Sequence, residues 1–388
     1  MGRCAQWFVV AAIALACGNG AIAQEGTPRL FGQHTPASED QLLEELSQSP
    51  DNAGARLALA RLYFRENRDA AADFAARQAL ADAAAAGQTE NVAQARDLLE
   101  ALQRRRRWVF TADATIAPDT SREFLIPGET EDDPSTLLER DSGLGIEGFA
   151  SLERRIPIGD DTLLSLQGFG RGEAFEEDDF NTLDVTLLAG PAFLLGGDDI
   201  LRARALYQQR WFGGEAEFDA IGGEFSLAQS PTPRLRTFAR LTVRDVDFDG
   251  ETARDALAVS LDGDISRYGE AGRIERVFGI LFYNDADAAD QSFWFARLGA
   301  GAYREVPGAI GIYVEPSVAA QIFDGEDPIA LEAREDTELR GLVRVSKRDW
   351  RVLSAAPFLS LEVSQLYSTI DRLEGVETAV QAGFTRSF

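Results

Sequence analysis

The sequence predicts a mainly β protein: a transmembrane antiparallel β-barrel of about 14 strands, preceded by a small all-α domain. Three observations carry this. The last stretch, 373–388, alternates with a period of two: Val376, Thr378, Val380, Ala382, Phe384 and Phe388 share one mostly apolar face, interrupted by Arg386, and small or polar residues occupy the other. Residues 1–23 have the form of a secretory leader. After Ala23 no run of about 18 apolar residues could form a spanning helix, so a membrane location calls for strands.

In the leader, Arg3 opens a short basic region, Trp7 to Ala16 forms the apolar stretch, and Ala21-Ile22-Ala23 is a cleavage site before Gln24. An alternative is lipidation at Cys17 after Ala14-Leu15-Ala16, although Ala14 is small for that motif. Cys4 and Cys17 are the chain's 2 cysteines, so cleavage at Ala23 leaves none. The formal net charge is -26, and losing Arg3 makes it -27. Such acidity excludes nucleic acid as a partner. Lys347 is the single lysine among the 38 basic residues.

Residues 24–107 are expected to form a periplasmic helical domain after a polar start at 24–37. Ser38 followed by Gln41 is a capping box, which predicts a short helix over 39–46. Pro50-Asp51-Asn52 ends it and caps a helix from Ala53 to about Glu66; Arg68-Asp69 turns the chain into another. The last helix, 89–106, places Val92, Ala95, Leu98, Leu99 and Leu102 on one side. Leu59, Ala60, Tyr63, Ala72 and Ala79 resemble the packing positions of one tetratricopeptide unit, in which small residues let paired helices approach. An alanine-rich hairpin without repeat ancestry would look similar. Arg104, Arg105, Arg106 and Arg107 close the helix, complementing its dipole. They read either as a collar gripping a client or lining a pore, or as a solvated helix end.

Residues 108–388 turn to two-residue alternation. Candidate strands lie near 108–117, 142–153, 162–172, 181–190, 201–211, 215–228, 234–244, 254–262, 273–283, 291–303, 309–321, 336–346, 351–366 and 374–388. Connections after the odd strands of this series are long or acidic (Glu129 to Asp133, Glu176 to Asp179, Asp245 to Glu251, Asp285 to Asp290, Asp324 to Asp327). Those after even strands are mostly short, with Pro or Gly. Long loops outside and short turns in the periplasm are the outer-membrane arrangement, and they put both chain ends of the barrel in the periplasm. Trp108, Trp211, Phe212, Trp350 and Tyr367 fit interfacial girdles. A soluble sandwich or propeller is the competing fold.

Chemistry is sparse. His34 is the only histidine, so thiol catalysis and histidine-based metal sites are excluded after the leader, and no enzyme activity is expected. Asp245-Val246-Asp247-Phe248-Asp249-Gly250 opens like a calcium loop, but Ala256 stands where a bidentate Glu is needed, and strand-like flanks make it an acidic hairpin. No glycine-rich phosphate loop occurs, and no cofactor is expected.

Two stretches carry a family resemblance: Trp108-Val109-Phe110 through Ala117-Pro118-Asp119-Thr120, and Ser368-Thr369-Ile370-Asp371 through Gly383-Phe384-Thr385-Arg386-Ser387-Phe388. With the leader and helical domain, they resemble the surface lipoprotein assembly modulators, the Slam family. Where that family carries Asn after Pro-Asp-Thr and Ser-Asn-Ile near its end, this chain has Ser121 and Thr369. The resemblance implies an outer-membrane translocator, with a surface lipoprotein or secreted protein as client. Its partners would be a periplasmic chaperone, outer-membrane lipid, and the barrel-assembly machinery, which reads the terminal aromatic strand; a monomer is expected. The alternative functions are a passive diffusion channel with a helical regulator and a periplasmic adaptor with a soluble β-domain.

Overall fold

A computed structural model describes residues 38–105, 107–118, 122–126, 137–141, 144–159, 161–175, 181–196, 199–269, 272–328, 330–347, 350, 356–370 and 373–385. The leader, His34, Arg106, Arg386 and Phe388 lie outside them.

Four helices come first: α1 (Glu39–Gln48), α2 (Ala53–Arg65), α3 (Asp69–Ala85) and α4 (Thr89–Arg105). The starts of α1 and α2 follow from capping chemistry. The backbone N–H of Gln41 donates to Ser38 Oγ at 3.3 Å, and that of Ser38 donates to Gln41 Oε1 at 3.1 Å, a closed capping box. Asn52 Oδ1 accepts from the Ala55 N–H at 3.1 Å. Asn67, at φ 58, makes the left-handed turn between α2 and α3. Leu59, Ala60, Tyr63, Ala72 and Ala79 are all buried in one cluster with Leu57, Leu98 and Leu102. Ala60, Ala72 and Ala76 are wholly buried, and such small side chains let the helix axes approach closely.

The rest is a closed barrel of fourteen antiparallel strands. In chain order they are β1 (Trp108–Pro118), β4 (Leu144–Pro157), β5 (Thr162–Ala174), β6 (Thr182–Gly196), β7 (Asp199–Phe212), β8 (Glu215–Thr232), β9 (Leu235–Phe248), β10 (Ala256–Tyr268), β11 (Ile274–Ala286), β12 (Phe293–Val306), β13 (Ile310–Glu326), β14 (Ala333–Lys347), β15 (Ala356–Ser368) and β16 (Gly375–Thr385). Neighbours in this order pair, and β1 pairs with both β4 and β16. Between β1 and β4, β2 (Arg122–Ile126) and β3 (Leu137–Asp141) form a separate hairpin that the sequence pattern does not predict. All fourteen expected barrel strands are present, most of them longer than expected. β8 runs to 18 residues, because ladder pairing continues past the apolar band into positions such as Asp245 and Asp247 of β9 where alternation turns polar.

One barrel end carries mostly short turns and receives α4 from the helical domain; the other carries the acidic loops. The exception is the β7–β8 connection at the loop end, which is Gly213-Gly214 with φ 57 and 87, the geometry of a tight hairpin. The calcium-like stretch is a hairpin loop. Asp249-Gly250 turns the chain, and the Phe248 N–H donates to Asp255 Oδ1 at 2.8 Å. Among the described residues no group of three or more His, Cys, Asp or Glu is placed to hold a metal.

Outward side chains are apolar around the barrel: Ile221, Phe225, Leu257, Leu261, Leu298, Val318, Leu339 and Leu359 are all exposed. Inward neighbours include Arg, Asp, Glu, Gln and Ser beside two apolar clusters around Leu163 and Ile200 and around Ala220 and Val246. A continuous apolar belt of this kind far exceeds the patches a soluble protein exposes, and removes the sandwich and propeller alternatives. Trp211, Trp294 and Tyr283 stand near the loop end, the last two stacked at 4.3 Å between centroids. Trp108, 53% exposed at the turn end, lies under the Arg154 guanidinium.

Closure leaves little room at some backbone crossings. A Cβ at Gly222 would stand 2.1 Å from the Val243 carbonyl oxygen. Gly222→Leu is therefore expected to abolish the heat-modifiable, barrel-folded band on a denaturing gel, while Leu257→Ala on the outer face preserves it.

Candidate functional site

The site is the barrel wall facing the lumen, with the helices seated at its turn end. Because strand side chains alternate, every second residue of each strand contributes to that wall. Its polar groups are paired from strand to strand. Glu153 of β4 accepts from Arg155 at 2.6 Å and from Ser165 Oγ of β5 at 2.8 Å, with Arg202 of β7 at 3.8 Å. Arg204 bridges Gln167 of β5, at 2.6 Å, to Glu224 of β8. Gln208 links Asp184 of β6 to Arg244 of β9. Farther round, Arg297 meets Glu338 at 2.7 Å and Arg340 meets Glu362 at 2.6 Å.

Matching carboxylate to guanidinium gives this wall little net sign. The acidic excess stands elsewhere, for example in the loop-end runs Asp245 to Glu251 and Asp285 to Asp290. Charges such as Glu153, Arg204 and Arg340, partly removed from water, are stabilised by partners on the same or another strand. Between these networks the wall also carries two apolar clusters, one around Leu163, Ile200 and Phe238 and one around Val246, Phe218 and Phe282.

The second part of the site lies at the rim. α3 is buried on two sides. Ala72, Ala76 and Ala79 pack in the helical cluster, while Gln78, Ala81, Asp82 and Ala83 are buried outside it, and α3 touches β10. Arg56 of α2 joins the two parts: its Nε lies 3.0 Å from Asp82, its Nη1 lies 3.8 Å from Glu305 at the turn end of β12, and its Nη2 donates to the Pro50 carbonyl at 2.6 Å. Burial pulls the Arg56 guanidinium below its ordinary pKa, and Asp82 opposes that shift, which favours the ion pair. Arg234, in the β8–β9 turn, donates from Nε to the Ala81 carbonyl at 3.3 Å. These contacts seat the helical domain on the turn-end rim.

The sequence reading missed this junction. Its signal was present as Arg56 among the apolar positions of α2 and as Gln78 and Asp82 in an otherwise alanine-rich helix. Two members of the arginine run have described side chains. Arg105 pairs with Asp69 of α3 and lies 3.5 Å from the Phe64 ring centroid, so it fastens helices together. The exposed Arg107 accepts the Arg155 N–H through its carbonyl at 2.7 Å, tying the linker to β4. Arg104 has no described side chain, and Arg106 lies outside the described residues. On the closing strand Val380, Ala382 and Phe384 face outward and are exposed.

A shallow depression lies between α3 and α4, lined by Ala84, Gly87, Thr89, Val92, Ala93 and Arg96.

No curated protein matches the chain. Among solved structures it is similar to a bacterial polysaccharide outer membrane secretin, at 13% identity and TM-score 0.40, over 71% of this chain and 84% of that one. It is also similar to a loop-deletion mutant of OmpT from Vibrio cholerae, at 10% identity and TM-score 0.37, over 72% and 98%. A third is OccD3 of Pseudomonas aeruginosa, at 7% identity and TM-score 0.36, over 72% and 91%. Likenesses this distant carry no weight for function. The match that does is to the family model for surface lipoprotein assembly modifiers, which covers residues 113–388, all but the first few residues of the barrel. By that match the chain belongs to the surface lipoprotein assembly modifier family.

Proposed function

We propose that this chain is an outer-membrane translocator that delivers a lipoprotein, or a related secreted protein, to the cell surface. The helical domain and short turns face the periplasm and the acidic loops face outward. The apolar outer belt supports membrane insertion, and the family supports a lipoprotein client. The observation that carries the division of labour is the Arg56 junction. It fixes the helices at the rim, so that a client held by them, or passed to them by a periplasmic chaperone, is presented at the lumen mouth.

The helices form one tetratricopeptide-like unit whose α3 face is taken by the barrel, which leaves the α4 side for the client. No ATP is available in the periplasm, so the driving force is folding or capture of the client outside, a difference in binding between the two sides. The chain works as a monomer, with no enzyme activity, and its terminal aromatic strand is read by the barrel-assembly machinery.

A passive diffusion channel is the second reading, favoured by the polar wall. It predicts steady ion flux in planar bilayers without any client, and normal client display when the helices are removed.

Deleting residues 24–107 is expected to abolish surface display of the client, read by protease accessibility on intact cells, while the heat-modifiable barrel remains; unchanged display contradicts the proposal. Asp82→Asn leaves Arg56 buried without its nearest carboxylate, a loss of about 3 kcal/mol for a buried pair. It should loosen the helices from the rim and lower display several-fold with the barrel intact, measured by protease release of the helical domain.

A further inference from the structure

The order of strands around the ring sets the helical domain across the lumen mouth. The chain enters the barrel at β1, and beside it the Arg155 N–H of β4 holds the Arg107 carbonyl at 2.7 Å. The rim contacts of α2 and α3 stand elsewhere: Arg234 of the β8–β9 turn meets the Ala81 carbonyl, α3 touches β10, and Arg56 reaches Glu305 of β12. Counted in either direction around the ring, β10 is the seventh strand from β1. The domain is therefore anchored at one side of the mouth and makes its rim contacts at the opposite side.

The lengths agree. Fourteen strands spaced about 4.8 Å apart and tilted by about 40° enclose a ring roughly 28 Å across. The 17 residues of α3 make a rod of about 25 Å. Its first residue, Asp69, pairs with Arg105, two residues before the Arg107 anchor, while Ala81 and Asp82, near its other end, stand at the far-rim contacts. Inward side chains take about 5 Å from each side of the ring, and a helix is about 10 Å wide, so α3 along the diameter leaves gaps too narrow for an extended chain. One turn before Asp82, Gln78 is wholly buried, and among the described residues neither its Nε2 nor its Oε1 has a hydrogen-bond partner. An amide buried in that state disfavours the seated arrangement and regains water when the contact opens.

We propose that α3 is a bar that closes the lumen at rest, and that its far end lifts from the rim to admit a client while the end anchored at Arg107 and β1 stays in place. Closure stands on the ring geometry; its opening by a client rests on the translocator reading above. The two ends differ as a hinge and a latch do. At the anchored end the chain itself runs on into β1. At the far end α3 meets the rim through non-covalent contacts alone, among them a 3.8 Å ion pair from Arg56 to Glu305 and the 3.3 Å hydrogen bond from Arg234 to Ala81. Both exchange readily for water. Arg56 and Asp82 belong to the same domain and keep their 3.0 Å pair when it lifts, so opening leaves the helices folded.

Ion conductance of the purified chain in planar bilayers tests it. The wild type should stay near the baseline. Glu305→Gln with Arg234→Gln weakens the far-end contacts and should raise the open fraction at least tenfold, with the heat-modifiable band showing that the barrel is folded. Cysteines are then added to this release variant at exposed Ala85, one turn beyond Ala81, and at exposed Thr232, at the turn end of β8; the chain's own cysteines are confined to positions 4 and 17. Joining Ala85→Cys to Thr232→Cys with a short dimaleimide should return conductance to the baseline and, on intact cells, lower client display at least tenfold. Either single cysteine treated with the same reagent should change neither. Wild-type conductance equal to that of the release variant, or conductance or display that the crosslink leaves unchanged, overturns the proposal. If conductance behaves as stated but no form of the chain displays a client, the translocator reading fails and the closure stands, which is a separate result.

Discussion

Every backbone N–H and C=O in the barrel wall has to find a partner without help from water on the lipid side, and that requirement shapes the rest of the molecule. It makes fourteen strands close into a ring, so that neither β1 nor β16 is left as a free edge around the whole wall. It also fixes which residues can do what. With the hydrogen bonds spent in the ladders, odd and even positions separate into an apolar outer belt and an inner wall of charged and polar groups.

The helical domain depends on the barrel through a different interaction. Arg56 is almost wholly buried, 4% exposed, between carboxylates from α3 and β12. A buried pair adds little net stability compared with apolar packing, yet losing one partner is costly, which suits a contact that specifies position. The seating places α3 on the rim and sets the α4 side facing away from it. Under the proposed translocator role, transport is an ordered passage from helices to rim to a charge-balanced wall.

Much of this was legible in the sequence, for identifiable reasons. Ser38-Gln41 and Asn52 mark helix boundaries to within a residue or two because capping is local chemistry, and the turn at Asn67 marks the next. The central part of each barrel strand follows from alternation. Strand ends do not, since pairing outlasts the apolar pattern: β9 continues through Asp245 and Asp247, and β13 runs on to Glu326 past an irregularity in register. The β2–β3 hairpin was hidden because five-residue arms are too short for a periodic signal. Arg56, Asp82 and Glu305 could not be joined from sequence, because their contact depends on how two domains meet. Within the arginine run, the pairing of Arg105 with Asp69 and Phe64 was likewise beyond sequence reading, because it depends on how the helices pack.

The most direct measurement of the central claim, that the client passes through the lumen, is site-specific photocrosslinking during transport. A photoreactive side chain is placed at inward Ser360 or Gln208, and at outward Leu361 as the comparison. Crosslinks to the client from Ser360 and Gln208, absent from Leu361 for a non-acylated client, are the predicted result. Display of the client at normal levels with no crosslink from either inward position would contradict the account.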